Sequence, residues 1–269
     1  MITKTGLAHQ LRLLGLEEGQ TVMLHVSLHG IGWIVGGPDV LIQALLDVLG
    51  PDGTLMMYVS WEEWERVLVF GLDSMQGEKK KAYLEECPPF DPLTSRAQRE
   101  WSILTEYLRT WPGAYRSDHP TASVAAVGAR ALWLTENHPL SYGYGSGSPF
   151  DKLCQCGGRV LLLGSPINTI TLLHHAEHIA RIPDKRIVTN RTPVLRNGQR
   201  VWVEFEEFDT CDGIRDGFLS EEYFNTIASD YLAAGNGRSG KVGDADSYLF
   251  EAAELVRFAV RWMERKWGS

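Results

Sequence analysis

Short apolar runs of strand length alternate with segments of helical periodicity along most of this 269-residue chain, and the alternation predicts an α/β fold. Two further observations agree with it. No internal repeat and no Pro/Ser-rich linker interrupts the pattern, so one domain over 1–269 is expected, with a long charged insertion near 61–92. The composition, 44% hydrophobic and 22% charged, is that of a globular chain able to bury a full core, which excludes disordered and collagen-like classes.

The elements follow in order. Gly6 to Leu16 places Leu7, Leu11 and Leu14 on one helical face and stops at Glu18-Gly19. Thr21 to Val26 reads as a buried strand. Gly36-Gly37-Pro38-Asp39 opens a helix through Leu49, with Pro38 where a missing N–H costs nothing. Pro51-Asp52-Gly53 turns into a second strand, Thr54 to Val59. Residues 61–92, with Lys79-Lys80-Lys81 and Pro88-Pro89, read as irregular. Ser102 to Trp111 is expected as helix, Ser123 to Val127 as strand and 136–150 as a glycine-rich loop. Arg159 to Gly164 is the clearest buried strand, and Asn168 or Thr169 is expected to cap a helix running to Ala180. Arg186 to Thr192 and Arg200 to Phe208 alternate like strands about an Asn197-Gly198 turn. Helices near 221–234 and 252–266 close the chain.

Twenty-six basic residues against 34 acidic ones give a net charge of −8. That balance argues against a nucleic-acid or anionic-membrane partner and suits a cationic ligand. No run of 18 apolar residues and no signal-peptide core is present. Cys87, Cys154, Cys156 and Cys211 form no CxxC pair, so they are expected as reduced thiols in a cytoplasmic protein.

The densest chemical cluster is His174-His175-Ala176-Glu177-His178, on the helix after the strongest strand, where α/β sheets bind ligands. Three readings compete. The string matches H-x-x-E-H, in which two histidines four apart on one helix face bind zinc in a hydrolase. Alternatively, one histidine is a general base whose second ring nitrogen is oriented by a carboxylate, Glu177 or Asp209. The third reading is a polar, half-exposed helix face.

Elsewhere the signals are weaker. His25-Val26-Ser27-Leu28-His29-Gly30-Ile31-Gly32 follows a strand, so its backbone N–H groups could cradle phosphates or merely turn the chain; no nucleotide fingerprint is present. Ser146 and Ser148 lie outside any G-x-S-x-G, and Cys154-Gln155-Cys156 reads as a pair of buried small residues. Glu62, Glu63, Glu65, Glu206, Glu207, Asp209, Asp212 and Asp216 flank loops. They are either solvated surface or, if the loops converge, a negative pocket for a polycation.

Many collinear strings carry a resemblance over nearly the whole length. They include Met23-Leu24-His25-Val26-Ser27, Gly36-Gly37-Pro38, Pro51-Asp52-Gly53-Thr54-Leu55-Met56-Met57-Tyr58, Pro89-Phe90-Asp91-Pro92 and Arg116-Ser117. His119-Pro120, Tyr142-Gly143-Tyr144-Gly145, Thr169 through Glu177, Asp209-Thr210 and Gly240-Lys241-Val242-Gly243 continue the series. In these residues the chain resembles the aminoglycoside 3-N-acetyltransferases. The resemblance implies a single α/β domain whose central mixed sheet is flanked by helices, and not the common acetyltransferase fold. It implies antibiotic resistance by transfer of acetyl from acetyl-CoA, with no metal, to the 3-amino group of a polycationic 2-deoxystreptamine aminoglycoside. It puts the catalytic base on His174, polarised by Asp209 or, as a weaker candidate, Glu177. Coenzyme A contacts fall on His25, Ser27, Leu28, Gly30, Ile31 and Gly32, with Ser117 and Ser123 lining the same groove. Antibiotic contacts fall on Glu62, Glu63, Tyr144, Asn168, Glu207 and Asp209, and Asn168 stands where some relatives carry an acid. The expected reaction is direct transfer in a ternary complex; Cys211 raises an acetyl-cysteine route, although a thiol there reads as structural. A monomer or homodimer is expected. A zinc hydrolase and a same-fold acetyltransferase for another amine are the alternatives.

Overall fold

Leu7, Leu11 and Leu14 recur at helical spacing, and they are buried on one side of α1 (Lys4–Leu14). Thr3 caps this helix through its side chain, and Gly15, at φ 107°, ends it in the left-handed region that glycine tolerates. The structure is a computed structural model that describes residues 1–64, 75–99, 102–210, 213–215 and 220–268. The helices that follow α1 are α2 (Leu28–Ile31), α3 (Pro38–Leu49), α4 (Gly77–Glu86), α5 (Leu104–Arg109), α6 (Ala131–Thr135), α7 (Pro149–Gln155), α8 (Leu172–Ile179), α9 (Ser220–Ala233) and α10 (Ala252–Trp267).

The strands are β1 (Thr21–Val26), β2 (Thr54–Tyr58), β3 (Tyr115–Arg116), β4 (Val124–Gly128), β5 (Arg159–Leu163), β6 (Ile187–Arg196), β7 (Gln199–Phe208), β8 (Arg238–Val242) and β9 (Ala245–Glu251). Seven form one sheet in the order β3-β4-β2-β1-β5-β9-β8. β1 runs parallel to β2 and β5, while the outer pairings are antiparallel, so the sheet is mixed, as expected. Alternation along β1 sends Val22, Leu24 and Val26 into a cluster with α1, α3 and α5, and Met23 into a second cluster with α7, α8, α9 and α10. Helices therefore cover both faces. β6 and β7 form a separate two-stranded sheet, turned by Asn197 and Gly198, both at positive φ as a two-residue hairpin requires.

Several elements depart from the sequence reading. β6 continues past Thr192 through Pro193 to Arg196; a proline survives there because its carbonyl, not the missing N–H, takes the bond from the Phe90 N–H. The segment read as irregular contains α4, which buries no residue and so shows no apolar stripe. α7 follows the glycine-rich loop, capped by fully buried Ser148 with Pro149 in its first turn. Neither Asn168 nor Thr169 caps α8; a 3-10 turn over Ile167–Thr169 intervenes. The β8–β9 hairpin has no counterpart in the sequence reading, because four of the five β8 residues are exposed. Cys87 is buried, but Cys154 and Cys156 are only half-buried; all three are free thiols, and burial raises the Cys154 thiol to about 12. Among the described residues no helix is long and apolar enough to cross a membrane.

β1, β2 and β5 end at the same edge, and the chain leaves β1 for β2 on one side and pairs with β5 on the other. A crevice outside those carboxyl ends is the expected ligand position in such a sheet.

Candidate active site

β5 delivers the chain to this edge of the sheet. Gly164, at φ 68°, turns it into the loop that leads to α8. Leu172, Leu173 and Ala176 anchor α8 in the core, which leaves His174, Glu177 and His178 on the adjoining face. Three residues along a helix bring side chains together, and His174 Nδ1 lies 2.6 Å from Glu177 Oε2. Glu177 is fully buried, and its other oxygen accepts a hydrogen bond from the Tyr223 hydroxyl of α9. The His174 ring sits between Tyr144 and Phe224, with centroids at 5.1 and 4.9 Å. A carboxylate only accepts, so Nδ1 carries the proton and the Nε2 lone pair is open, without a hydrogen bond among the described residues. A side chain 18% exposed, with one nitrogen held and the other open, can take a proton from an incoming nucleophile.

His178 lies one turn on. Its Nδ1 donates to the His174 carbonyl at 2.7 Å, and its Nε2 is 2.5 Å from Glu207 Oε1. Both nitrogens face acceptors, so the His178 ring is held at both ends. Glu207 Oε2 accepts from the Gly143 N–H at 2.7 Å, which ties β7, α8 and the glycine-rich loop together. His119 accepts the Ala122 N–H at Nδ1 and donates from Nε2 to the Leu140 carbonyl, and burial lowers it to about 4. His138 stacks on it at 4.5 Å and is lowered well below 6.5, also by burial. Beyond α8, Lys185 Nζ donates to the His178 carbonyl at 2.8 Å over the Phe208 ring, and burial lowers this ammonium to about 8.

The predicted residues are gathered unevenly. Glu177, not Asp209, holds the His174 ring; Asp209 is buried and pairs with Arg186 at 2.9 Å. Ser117 and Ser123 do not line a groove, because both are fully buried with committed hydroxyls: Ser117 accepts the Val124 N–H and bonds His138 Nδ1, and Ser123 donates to the Val59 carbonyl and accepts from Arg116 Nε. Ile31 is likewise a core residue, and Leu28 packs against the same cluster. Ser27 caps α2 by accepting the Gly30 N–H at 3.3 Å, and a Cβ at Gly30 would stand 3.4 Å from Gly164. Gly32 closes this turn at φ 97°. His25 stands near the carboxyl end of β1. Tyr144 is 7% exposed, a wall of the site whose hydroxyl donates to that of Tyr58. Glu207 is committed as described. Glu62 pairs with Arg99 at 3.3 Å and Glu63 lies against Tyr83, both in the region of the insertion. Asn168 keeps a buried Oδ1 without a hydrogen-bond partner among the described residues. Glu65, Cys211, Asp212 and Asp216 lie outside the described residues.

Zinc coordination through His174 and His178 would need nitrogens that His178 spends on a carbonyl and a carboxylate. Among the described residues no group of three His, Cys, Asp or Glu could hold a metal ion. Sequence reasoning missed Tyr223 and Phe224, whose helix lies about 50 residues downstream in the chain and gives no local sign of facing α8.

Comparison with known proteins completes the description of the site. The family model for aminoglycoside 3-N-acetyltransferase matches residues 23–264. The chain is 49% identical to an aminoglycoside N(3)-acetyltransferase III of Pseudomonas aeruginosa over 99% of this chain and 95% of that protein. It is 44% identical to an aminoglycoside N(3)-acetyltransferase VIII of Streptomyces fradiae, over 100% and 94%. Among solved structures, AAC-IIIb in a binary complex with CoASH aligns with a TM-score of 0.92 at 45% identity, covering 99% of this chain and 98% of that one. AAC-VIa bound to sisomicin aligns at 0.90 and 37% identity, with 99% of each chain covered.

Proposed function

The chain belongs to the aminoglycoside 3-N-acetyltransferase family, a family of transferases, and from that membership we propose that it moves acetyl from acetyl-CoA to the 3-amino group of 2-deoxystreptamine aminoglycosides, by direct transfer in a ternary complex, and so confers resistance. The observation that carries the mechanism is the His174–Glu177 pair: a partly exposed imidazole whose Nδ1 is held by a fully buried carboxylate. Glu177 fixes the ring and the tautomer. His174 Nε2 then takes the proton from the antibiotic's amine as the nitrogen attacks, and the Glu177 charge stabilises the imidazolium formed. Tyr223 holds the second Glu177 oxygen, so the carboxylate cannot rotate away from the ring.

This end of the sheet suits the co-substrate: Ser27 through Gly32 form a tight turn beside Gly164 at the ends of the parallel strands, and His25 adds a buried nitrogen without a partner among the described residues. Acetyl-CoA supplies the activated carbonyl. On the antibiotic side, the buried Asn168 Oδ1, unpaired among the described residues, is an acceptor for an ammonium group, and Glu206 lies exposed on β7 beside Tyr142. Asp209 acts at one remove, by fixing Arg186.

Thiol release from acetyl-CoA across a panel of amines tests the substrate class. Release with 2-deoxystreptamine aminoglycosides and the product acetylated at the 3-amino group is expected; release only with unrelated amines would overturn the assignment. Removing a positioned base typically costs ~10²–10⁴-fold in rate, so His174→Ala should lose that factor in kcat while CoASH affinity holds. Wild-type turnover in that variant would remove His174 from the mechanism.

A further inference from the structure

His119, His138 and His178 are buried histidines that hydrogen-bond through both ring nitrogens. His25 differs. Its Nε2 is buried and has no hydrogen-bond partner among the described residues, a costly condition for a polar atom. The residue is the penultimate one of β1, at the carboxyl end of the central parallel strand, and it pairs with Leu162 of β5. Alternation puts it on the Met23 face of the sheet, the face that carries α8 and Tyr58. Tyr58, at the end of neighbouring β2, is joined through the Tyr144 hydroxyl to the ring that packs on His174. On its other side β5 runs into the loop that leads to α8 and His174. The orphan nitrogen thus belongs to the same end and face of the sheet as the base, beside the Ser27–Gly32 turn. Burial lowers His25 to about 4, so the ring is neutral at working pH.

We propose that His25 polarises the acyl carbonyl, its neutral imidazole donating Nε2–H to the thioester oxygen. This rests on the acetyl-CoA reading above and assigns the electrophilic half of the same reaction. A neutral ring is suited to the task, because it stabilises the charge that grows on the oxygen without protonating it. The amine's nitrogen forms the N–C bond while the carbonyl electrons move onto the oxygen held by His25. The C=O bond then re-forms, the C–S bond breaks, and its electron pair leaves with sulfur. The amine's proton passes through His174 Nε2 to the thiolate. His25 ends as it began.

The test compares acetyl-CoA with S-ethyl-coenzyme A, which has the same arm without the carbonyl, by calorimetric titration of the wild type and His25→Leu. One hydrogen bond corresponds to about a two- to tenfold preference, so the wild type should favour acetyl-CoA by that factor. His25→Leu should lose the preference while binding S-ethyl-coenzyme A as before, and kcat should fall ~10²–10³-fold, the usual effect of removing such a donor. His25→Gln keeps an N–H donor and should retain part of both effects; it also serves if His25→Leu fails to fold. A preference that survives both substitutions overturns the proposal, as does an equal loss of affinity for both ligands, which would make His25 a packing residue. A wild type that binds neither ligand would instead overturn the acetyl-CoA reading, and the His25 assignment with it.

Discussion

Glu177→Gln separates the two carboxylates that the sequence offers to His174. The substitution keeps the shape of a fully buried side chain whose oxygens meet His174 Nδ1 and the Tyr223 hydroxyl. The amide oxygen can still accept from Nδ1, so the ring keeps its place; the negative charge is what disappears. A hydrogen bond to a charged group contributes about 1.5–3 kcal/mol, against about 1 for a neutral one. The charge also matters most when the imidazolium forms. The difference, a loss of about 0.5–2 kcal/mol in the transition state, is roughly a 2–30-fold drop in kcat at 1.36 kcal/mol per decade. Asp209→Asn is the matched control: its carboxylate faces Arg186, so it should lower thermal stability and leave kcat per folded molecule within a few-fold. Steady-state thiol release, with KM measured for both substrates and folding followed by thermal melting, reads out both variants. If Asp209→Asn costs more in kcat than Glu177→Gln, the orientation argument is wrong.

Other outcomes follow from neighbouring groups. Tyr223→Phe removes one bond from Glu177 and should lower kcat several-fold with KM for both substrates unchanged; a drop in melting temperature with normal kcat would make Tyr223 merely structural. In Gly143→Ala the new Cβ would meet His119 Nε2 at 2.4 Å, and that ring is pinned by the Leu140 carbonyl and the Ala122 N–H. Overpacking of this kind costs about 1–3 kcal/mol, so chemical denaturation should show that loss, and an unchanged midpoint would contradict the packing. Acid should destabilise the fold. Folded His119 is lowered to about 4 by burial, so between the unfolded value of 6.5 and about 4 the unfolded chain binds the extra proton, and stability falls as pH falls through that window. The loss is on the order of 3 kcal/mol by about pH 4, and a His119→Gln variant should show a shallower decline of melting temperature with pH. A wild-type melting temperature that stays flat from pH 6.5 to 4 would refute the buried neutral ring.

What could be read in the chain beforehand follows the range of the forces involved. Thr21–Val26 and Arg159–Leu163 were legible because a strand covered on both faces is apolar throughout. The β8–β9 hairpin was not, since exposed edge residues such as Arg238, Ser239 and Lys241 leave no alternation to find. Membership of the acetyltransferase family was legible from many collinear strings, and the position of His174 came with it. The carboxylate partner is the instructive case. His174 and Glu177 are three apart on one helix, and local geometry alone places such side chains in contact, whereas an Asp209 partner required a long-range juxtaposition that no periodicity reports. The near neighbour is the one in place. Tyr223 and Phe224 show the complementary limit: their helix docks on α8 through tertiary packing, so their share in the site exists only once the chain has folded. His25 lies between these extremes. Its rank in the strand could be read from alternation, but the feature on which its proposed role rests, a buried nitrogen with no partner among the described residues, appears only once the chain has folded.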